Sequence, residues 1–327
     1  MAASVWFACP RQVELREEAI PAVGPQDARV EAIASAISHG TEMLVFRGQV
    51  PEEFELDLPT LRGSFQFPIK YGYASVGRVV EVGHEVRTLA EGDTVFVHHP
   101  HQAAYVVPAT AAIRLPGDLD PTLGVFLANL ETATNVVLDA APRLGERLAI
   151  FGQGAVGLLI TQLARRTGAA HLVAVDPIAR RRELARSLGA DEVLASGDAL
   201  DGADLDVAIE ASGHVGALDQ ALRSVAFGGT VIVCSWYGTK AVPLSLGGPF
   251  HRRRLRIISS QVSTIDAALQ PRWSRGRRLA LARDLLPRLE LKSLVSHRFP
   301  IDQAASAYAL IDAHPEETVQ VVLTYGS

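Results

Sequence analysis

The sequence has few cysteines and no long apolar run, and both absences narrow its class. Its 327 residues contain two cysteines, Cys9 and Cys234, which are too far apart in sequence for a paired metal-binding motif. This excludes a cysteine-rich structural zinc site and is typical of a reducing compartment. No stretch of about 18 consecutive apolar residues occurs, so no membrane span is predicted. The first residues lack the apolar core of a signal peptide, and we therefore expect a cytoplasmic protein.

An excess of positive charge is also lacking. Lysine and arginine number 31 against 36 aspartate and glutamate residues, which gives a formal net charge of −5 at pH 7. No basic stripe dominates the chain, so nucleic acid is not an expected partner. The composition, 48% hydrophobic and 20% charged, is ordinary for a globular protein, and the length is sufficient for two domains.

The strongest local signal is a turn with three glycines between an apolar run and an amphipathic segment. The run ends at Phe151, and Gly152, Gly154 and Gly157 follow in the spacing GxGxxG. In dinucleotide-binding folds the first glycine allows a sharp turn, the second lets the backbone approach the pyrophosphate, and the third lets helix and strand pack closely. The N–H groups at the helix start then face the phosphates. The predicted dinucleotide site also includes the intervening residues Gln153, Ala155 and Val156.

An acidic residue at the end of the next apolar run indicates which dinucleotide binds. Asp176 lies 19 residues after the last glycine. Its carboxylate is expected to accept hydrogen bonds from both hydroxyls of the adenosine ribose and to repel the additional phosphate of NADP. Arg181, in a group of three arginines that begins four residues after Asp176, is a residue that can instead favour a phosphate. We predict NAD(H) as the cofactor, with NADP(H) as the less favoured alternative.

Two kinds of pattern divide the chain. Up to about Leu115, short alternating apolar runs separated by glycine, proline and aspartate predict an antiparallel, barrel-like β region. Within it, residues 47–70 lack periodicity and are predicted to form a long loop. From the glycine turn to Ser260, strands alternate with helices, which predicts a doubly wound parallel sheet in an α/β fold. Ala211, Ser212, Ser235 and Trp236 follow later strands of that sheet, at the edge where dinucleotides bind.

Several motifs in this order resemble the medium-chain dehydrogenase/reductase superfamily, the relatives of zinc-type alcohol and sorbitol dehydrogenases. They are ISHGTEMLVFRG, YGYASVGRVVEVG, EGDTVFV, the glycine motif with VDPIARRRELARSLGAD, DVAIEASG and GGTVIV. The resemblance covers nearly the whole chain. It implies a GroES-like catalytic domain at 1–128 and 263–327, a Rossmann domain at 129–262, and a homodimer. The segments GTEMLVFRG, PIKYGYASVG and FHRRRLRIISSQV are similar to a bacterial, bacteriochlorophyllide-dehydrogenase-like branch.

The same resemblance reveals a departure from the zinc enzymes. Those enzymes bind catalytic zinc through a cysteine, a histidine and a further cysteine or glutamate, with one position open to polarise an oxygen. In this chain the corresponding positions hold Ser38, Tyr73 and Ala128. None of these is a zinc ligand, so the resemblance implies an oxidoreductase without catalytic zinc. Other groups must then stabilise the oxyanion and move the proton.

Candidates for that chemistry lie beside the replaced ligands. Tyr73 stands where a histidine would bind the metal, so its hydroxyl is predicted to face the reacting centre; the alternative is that it fills the space of the metal. A phenol can donate to a developing oxyanion or transfer a proton. His39 and Thr41 are candidates for a proton relay, and His39 has a structural role as its alternative. Glu131 is predicted either as an acid or base with a raised pKa or as a carboxylate that stabilises a hinge.

A histidine-rich segment, HHPHQ, replaces the cysteine-rich lobe of the zinc enzymes. Its HxH spacing on a strand can place two rings on one face. A replacement metal site is one interpretation, but no carboxylate or cysteine lies nearby in sequence. We therefore predict a polar wall of the substrate pocket with His101 and Gln102 facing inward, completed by Ser38 and Asn129.

The predicted reaction is hydride transfer between a hydroxyl and a carbonyl of a small molecule. Two alternatives stay open. One is reduction of a conjugated C=C or C=N bond with NAD(P)H, which needs less oxyanion stabilisation. The other is nucleotide binding without catalysis, which the replaced ligands favour and the retained polar residues oppose.

Overall fold

The computed structural model describes residues 1–51, 53–58 and 60–326, and the chain divides into two compact units. The first unit contains Met1–Ala128 and Arg283–Ser327, and the second contains Asn129–Ala282. The sequence placed the second boundary at 262/263, whereas the units divide at 282/283. The physical reason is Arg278, which is 1% exposed and donates hydrogen bonds to Glu131 and Asn135 of the second unit.

The regular elements are numbered here in chain order. The strands are β1 (Ala2–Cys9), β2 (Gln12–Glu18), β3 (Asp27–Ile37), β4 (Glu55–Leu58), β5 (Leu61–Ser64), β6 (Ser75–Val82), β7 (Thr94–Val97), β8 (Ala104–Pro108), β9 (Ala112–Arg114), β10 (Arg147–Phe151), β11 (His171–Val175), β12 (Glu192–Leu194), β13 (Leu205–Glu210), β14 (Val225–Val233), β15 (Arg256–Ser259), β16 (Val295–Pro300) and β17 (Gln320–Thr324). The α-helices are α1 (Thr41–Phe46), α2 (Leu127–Ala140), α3 (Ala155–Ala164), α4 (Ala179–Ser187), α5 (Val215–Ser224), α6 (Arg275–Leu285) and α7 (Ala304–Ala313). Among the described residues, no helix combines the length and apolar character needed to cross a membrane.

A mostly antiparallel sheet forms the centre of the first unit. Its strands follow the order β16-β17-β3-β6-β7-β9, and β8 pairs with β3. The long strand β3 organises this sheet because it pairs with three strands: β6 pairs with residues 28–35, β8 with residues 27–31 and β17 with residues 34–37. The alternating runs of the sequence therefore do form the predicted antiparallel β region.

The predicted long loop between residues 47 and 70 contains regular structure. Strands β4 and β5 pair as an antiparallel hairpin with Glu55 opposite Ser64. The prediction was wrong here because strands of four residues are too short to show a period of two in the sequence. Glu52 and Pro59, which belong to the same predicted loop, lie outside the described residues.

An aromatic cluster fixes helix α1 in the core of the first unit. The rings of Phe7, Phe46 and Tyr308 lie with their centroids 5.1–5.6 Å apart in edge-to-face and stacked arrangements. All of α1 from Glu42 to Phe46 is buried. A helix that is buried on this scale carries its one acidic side chain into the core as well, and that carboxylate must find hydrogen-bond donors there.

The second unit is a doubly wound sheet, as the sequence predicts. Its six strands are parallel and follow the order β12-β11-β10-β13-β14-β15. Numbered within the unit, this is the order 3-2-1-4-5-6 of dinucleotide-binding Rossmann folds. The central strand β10 is buried from Leu148 to Phe151, as expected for a parallel strand covered on both faces.

Candidate functional site

The carboxyl ends of four neighbouring strands bring the predicted cofactor residues to one edge of the parallel sheet. Phe151 of β10 pairs with Val175 of β11 and with Glu210 of β13, and Glu210 pairs with Val233 of β14. The next residues along the chain are therefore neighbours at that edge, and one contact links two of them directly: the N–H of Gly213 donates to Ser235 Oγ at 2.8 Å. The predicted residues found there are Gly152, Asp176, Ala211, Ser212, Ser235 and Trp236.

The three glycines of the turn differ in what surrounds them. Gly152 has φ +92°, and a Cβ there would lie 2.5 Å from Ser212 Cα. A Cβ at Gly157 would lie 1.9 Å from the carbonyl oxygen of Gly152. At Gly154, in contrast, a Cβ would meet no described atom within 4 Å. The fold therefore requires the first and third glycines, whereas the middle one leaves open space at the start of α3, where a pyrophosphate fits.

The other residues of the turn are less accessible than the sequence suggested. The side chain of Gln153 is fully buried; its Nε2 donates to Ile150 O at 3.1 Å and its Oε1 accepts from Thr161 at 2.9 Å. It therefore braces the turn from within instead of facing a ligand. Ala155 and Val156 form the first turn of α3, where backbone N–H groups have no intrahelical acceptor.

Asp176 holds the glycine turn from the neighbouring strand. Its carboxylate is 3% exposed; Oδ2 accepts the N–H of Gln153 at 2.7 Å, and Oδ1 accepts the N–H of Ile178 at 2.8 Å. Arg181 Nη1 lies 3.8 Å from Oδ2. The residue that the sequence predicted to select NAD and the residue predicted to favour a phosphate thus form one ion pair.

A second buried carboxylate, Glu210, fixes the same edge. Its Oε1 accepts the N–H and the hydroxyl of Ser212 at 2.7 and 2.6 Å and the N–H of Gly213 at 3.1 Å. Its Oε2 accepts the hydroxyl of Tyr237 at 2.7 Å, and burial together with Glu210 raises the pKa of this tyrosine well above its ordinary value. Burial likewise raises the pKa of Cys234 to about 12, so this thiol stays protonated at neutral pH.

In the first unit, Tyr73 and Ser38 are hydrogen-bonded as neighbours. The phenol of Tyr73 donates to Ser38 Oγ at 2.6 Å, although the two residues are 35 positions apart. His98 Nδ1 lies 3.2 Å from the carbonyl oxygen of Tyr73 and donates to it in the tautomer that carries hydrogen there. His39 and Thr41, both half-buried, lie between Ser38 and the buried part of α1.

A buried polar network lies directly behind this pair, and its centre is Glu42. Oε1 of Glu42 accepts from His101 Nε2 at 2.8 Å and from the hydroxyl of Tyr308. Oε2 accepts the N–H of Ser38 at 3.0 Å. On its other side, His101 Nδ1 lies 2.6 Å from Ser35 Oγ. Burial, and then the charge of Glu42, raise the pKa of Tyr308 well above its ordinary value, so the tyrosine is a donor.

The network continues beyond Ser35 to the end of the chain. Ser35 Oγ lies 2.7 Å from the hydroxyl of Tyr325. Burial raises the pKa of Tyr325 well above its ordinary value, so it too remains protonated. The network therefore joins side chains from β3, α1, the segment before β8, α7 and the segment after β17.

The structure does not support the predicted polar pocket wall. His101 is fully buried in the network, and Gln102, which is 4% exposed, accepts a hydrogen bond from Lys70 Nζ at 2.8 Å. His99 stacks on Tyr105 with ring centroids 3.7 Å apart, and burial lowers its pKa to about 3. The sequence could not reveal this arrangement because the partners of the HHPHQ segment come from distant parts of the chain.

The structure gives Glu131 a structural environment. Its Oε1 accepts from Arg278 Nε at 3.2 Å and from Nη2 at 2.8 Å, and the guanidinium is 1% exposed. Arg278 also donates to Asn135 and to the carbonyl oxygen of Thr264. These contacts with a buried guanidinium are those expected of the hinge-stabilising alternative. Asn129, predicted to line the pocket, is half-buried in the first turn of α2.

Comparison with known proteins supplies the family. The family described as Zinc-binding dehydrogenase matches residues 155–277. D-guloside 3-dehydrogenase of Escherichia coli (strain K12) is 30% identical over 346 residues, with 97% of this chain and 98% of that protein covered. The chain belongs to the medium-chain dehydrogenase/reductase superfamily. It is an NAD(P)-dependent oxidoreductase of that superfamily, and the sequence-based prediction of family and enzyme class is confirmed.

Solved structures confirm the fold. A protein from Sinorhizobium meliloti 1021, solved with NADP bound, matches with a TM-score of 0.81 at 23% identity, covering 99% of both chains. An alcohol dehydrogenase from Escherichia coli CFT073, solved with NADH, matches with a TM-score of 0.80 at 20% identity and the same coverage. At these identities the match concerns the fold, and the GroES-like and Rossmann architecture is therefore established.

The superfamily implies two bound groups, a dinucleotide and a catalytic zinc ion, and the residues of this chain suit only the first. A dinucleotide fits the glycine turn, because the space at Gly154 is open and N–H groups begin α3 beside it. Catalytic zinc does not fit the predicted ligand positions, since a serine hydroxyl, a phenol and a methyl group are not the thiolate, imidazole and carboxylate donors that zinc prefers. Among the described residues, the one group of three close histidine, cysteine or carboxylate ligands is His314, Glu316 and Glu317, all exposed.

Proposed function

We propose that this chain is a zinc-independent, NAD(H)-dependent dehydrogenase that interconverts a secondary hydroxyl and a carbonyl of a polyol or glycoside. The observation that carries this proposal is the hydrogen bond between Tyr73 and Ser38, which joins two hydroxyl groups at two of the positions where zinc ligands were expected. The substrate class is suggested by the relative at 30% identity, whose name specifies oxidation at position 3 of a guloside.

In the proposed mechanism, Tyr73 handles the proton and Ser38 supports it. During carbonyl reduction the phenol of Tyr73 turns from Ser38 Oγ and gives its proton to the substrate oxygen, which becomes a hydroxyl. The Ser38 hydroxyl then donates its hydrogen to the phenolate oxygen and stabilises the negative charge. During oxidation the same groups act in reverse. When bound, a nicotinamide cofactor supplies or takes up the hydride at the substrate carbon.

The preference for NAD(H) is proposed from Asp176. A carboxylate at the end of β11 can accept the hydroxyls of an adenosine ribose and repels a phosphate attached there. Both of its oxygens also accept a backbone N–H, which fixes the carboxylate in place. Arg181 stands beside it at 3.8 Å, so the preference is proposed as a ratio of affinities and not as exclusion of NADP(H).

A panel of hydride acceptors tests the proposed reaction. Purified protein is incubated with NADH together with one compound at a time, a ketone, a keto-sugar, an enone or an imine, and the decrease in the absorbance of NADH is followed. We expect turnover with ketones or keto-sugars, and a large loss of that turnover in Tyr73→Phe. Turnover confined to enones or imines would contradict the proposal in favour of C=C or C=N reduction. Tight NADH binding without turnover on any compound would favour a non-catalytic nucleotide-binding protein.

Assembly and compartment are proposed from the edge of the parallel sheet and from the two cysteines. Strand β15 lies at the end of the strand order and pairs with β14 among the described residues, so it leaves an edge on which a second copy can continue the sheet. We propose a homodimer formed at β15, and light scattering on purified protein tests it, a monomer mass being the contrary result. The two cysteines are unpaired, which supports a cytoplasmic location.

A further inference from the structure

We infer that Glu42 is a positioning residue for the Tyr73–Ser38 pair, an inference that rests on the proposed function. Glu42 is not expected to touch the substrate, because its side chain is fully buried. One of its oxygens contacts Ser38 directly, and the other contacts His101, which lies beside the backbone that precedes Tyr73. The position of the carboxylate therefore affects the distance between the hydroxyl groups of Tyr73 and Ser38.

One oxygen of Glu42 holds Ser38. Ser38 follows β3 in the short turn that leads into α1, and its N–H donates to Glu42 Oε2 at 3.0 Å. This bond closes the turn across four residues and fixes the backbone from which the Ser38 side chain extends. The hydroxyl is then within 2.6 Å of the Tyr73 phenol.

The other oxygen of Glu42 holds His101, and His101 confines the backbone next to Tyr73. His101 Nε2 lies 2.8 Å from Oε1. The imidazole fills the space beside Gly72, where a Cβ would lie 2.7 Å from His101 Cδ2, and Gly72 has φ +127°, a conformation that favours glycine. The ring therefore limits the path of the chain immediately before Tyr73.

The donors of the network are consistent with one tautomer of the imidazole. Glu42 Oε1 accepts from the hydroxyl of Tyr308, and it accepts from His101 as well when the imidazole carries its hydrogen on Nε2. In that tautomer Nδ1 is an acceptor, to which the Ser35 hydroxyl donates at 2.6 Å, and the hydroxyl of Tyr325 can in turn donate to Ser35 Oγ. Glu42 Oε1 is the acceptor at the end of this sequence of hydrogen bonds.

The test replaces Glu42 by glutamine, which has nearly the same shape. An amide accepts at one atom and donates at the other, so Glu42→Gln either directs N–H groups at Ser38 N–H and loses that contact, or directs them at His101 and Tyr308, whose hydrogen bonds must then reverse direction. A displacement of the pair on the order of 1 Å is expected to lower kcat by about 30- to 100-fold. We expect KM for substrate to change by less than about 3-fold, because uniform binding is not removed.

Tyr105→Phe is the matched control. Tyr105 is a buried phenol of the same unit whose hydroxyl lies 2.9 Å from Ser75 Oγ and whose ring stacks on His99, and it makes no described hydrogen bond to the network around Glu42. Phenylalanine preserves that packing. If Glu42 acts by positioning, Tyr105→Phe keeps kcat within about 3-fold of the parent. An equal loss of kcat in Tyr105→Phe and Glu42→Gln would overturn the inference, since it would reflect general disturbance of buried polar groups in the first unit.

Two further measurements separate this inference from the proposed function. The solvent deuterium isotope effect on kcat is expected to rise in Glu42→Gln, because proton transfer becomes slower, while the Kd for NADH stays at the parental value. Tyr73→Phe is measured alongside. An inactive Tyr73→Phe with a fully active Glu42→Gln overturns only the positioning role, whereas a fully active Tyr73→Phe overturns the proposed function and the positioning role with it.

A second variant applies if Glu42→Gln does not fold. Ser35→Ala removes the donor to His101 Nδ1 and leaves Glu42 intact. It is expected to lower kcat by about 3- to 10-fold, again with little change in KM, because the imidazole loses one of its two anchoring hydrogen bonds. Parental kcat and isotope effect in a folded Ser35→Ala variant would contradict the inference independently.

Discussion

The cofactor edge of the second unit and the polar network of the first are both built on buried carboxylates, but the chain assembles them differently. At the cofactor edge, Asp176 accepts from Ile178 and Gln153, which are 2 and 23 residues away. In the network, Glu42 accepts from His101 and Tyr308, which are 59 and 266 residues away. The environment of Asp176 is formed by residues close to it in sequence. The environment of Glu42 forms only when distant parts of the first unit have folded together.

The donors differ as well as the distances. Backbone N–H groups donate the hydrogen bonds from Gln153 and Ile178 to Asp176, so its environment depends on the course of the chain more than on neighbouring side chains. Around Glu42, the donors are an imidazole, a phenol and one N–H. A motif search can therefore find the first carboxylate, whereas the second is specific to the set of side chains that this chain combines.

The largest expected effect comes from removing the Tyr73 hydroxyl, the point at which the network meets the proposed chemistry. Tyr73→Phe is expected to lower kcat by about 10²- to 10³-fold, because general acid catalysis contributes on this scale. The Kd for NADH, a property of the second unit, should not change. Steady-state kinetics and NADH fluorescence measure the two quantities. A loss of NADH affinity as large as the loss of kcat would contradict the assignment of cofactor binding to the second unit and proton transfer to the first.

The next largest effect concerns Glu131, a carboxylate of the second unit whose partner is a buried cation. Glu131→Gln is expected to lower the free energy of unfolding by about 3 kcal/mol, since it leaves the guanidinium of Arg278 without its counter-charge. Below the melting temperature kcat should stay near the parental value. Chemical denaturation and steady-state kinetics measure this.

An exposed ion pair provides the control for Glu131. Asp204 and Arg253 are 3.3 Å apart with exposed side chains, and Asp204→Asn should change the free energy of unfolding by less than about 1 kcal/mol. A folded and stable Glu131→Gln variant with a kcat reduced a hundredfold would instead restore the acid–base role that the sequence suggested.

A smaller effect is expected for cofactor choice. Asp176→Ala should weaken NADH binding by about 10- to 100-fold, because hydrogen bonds to a charged group contribute on this scale. NADPH should lose less affinity, since the repulsion of its phosphate disappears with the carboxylate. Titration calorimetry with both cofactors measures the ratio, and Glu183→Gln, an exposed acid on α4, is the control. An equal loss for both cofactors would mean that Asp176 serves only the glycine turn.

The smallest effect is a pH dependence of stability in the second unit. Partial burial raises the pKa of Asp139 above its ordinary value of 3.8, although hydrogen bonds from Ser260 and Asn135 lower it in part. The folded chain then binds this proton more tightly than the unfolded chain, so stability falls as pH rises from 3.8 through the folded pKa. Asp139→Asn should therefore melt about 1–2 °C higher than the parent at pH 7.

The pH profile of the same variant contains its own control. Below the ordinary pKa both side chains are neutral, and the difference in melting temperature should become small. A difference that grows on acidification would show that the carboxylate, not the carboxylic acid, is the stabilising form. Differential scanning calorimetry at several pH values measures this.

Much of the second unit could be predicted from the sequence, and the reason lies in the periodicity of its elements. The glycine turn, the strands that lead to Phe151 and Val175, and the residues at their carboxyl ends follow from local spacing alone. The contents of the first unit were harder. Ser38 and Tyr73 were predicted near one site through their family positions, and the structure joins them, but no local signal pointed to Tyr308 or Tyr325.

Long-range contacts account for what the sequence missed. The observed domain boundary lies after the predicted one because Arg278 packs in the second unit against Glu131, which lies 147 residues earlier in the chain. His101 was predicted to face a pocket because the HxH spacing indicates which side chains share one face of a strand. The spacing does not indicate whether other parts of the chain cover that face, and in the structure His101 is buried. Glu42 belongs to the motif GTEMLVFRG, but its role in the network depends on its burial. A helix of six residues is too short for its hydrophobic periodicity to show which side chains are buried.

The metal content of the active protein tests the central claim most directly. Purified protein that turns over a carbonyl substrate is analysed for zinc by mass spectrometry, and its activity is measured before and after dialysis against a strong chelator. The account predicts no stoichiometric zinc and unchanged kcat after dialysis. About one zinc per chain, lost together with activity on chelation and restored with added zinc, would contradict it.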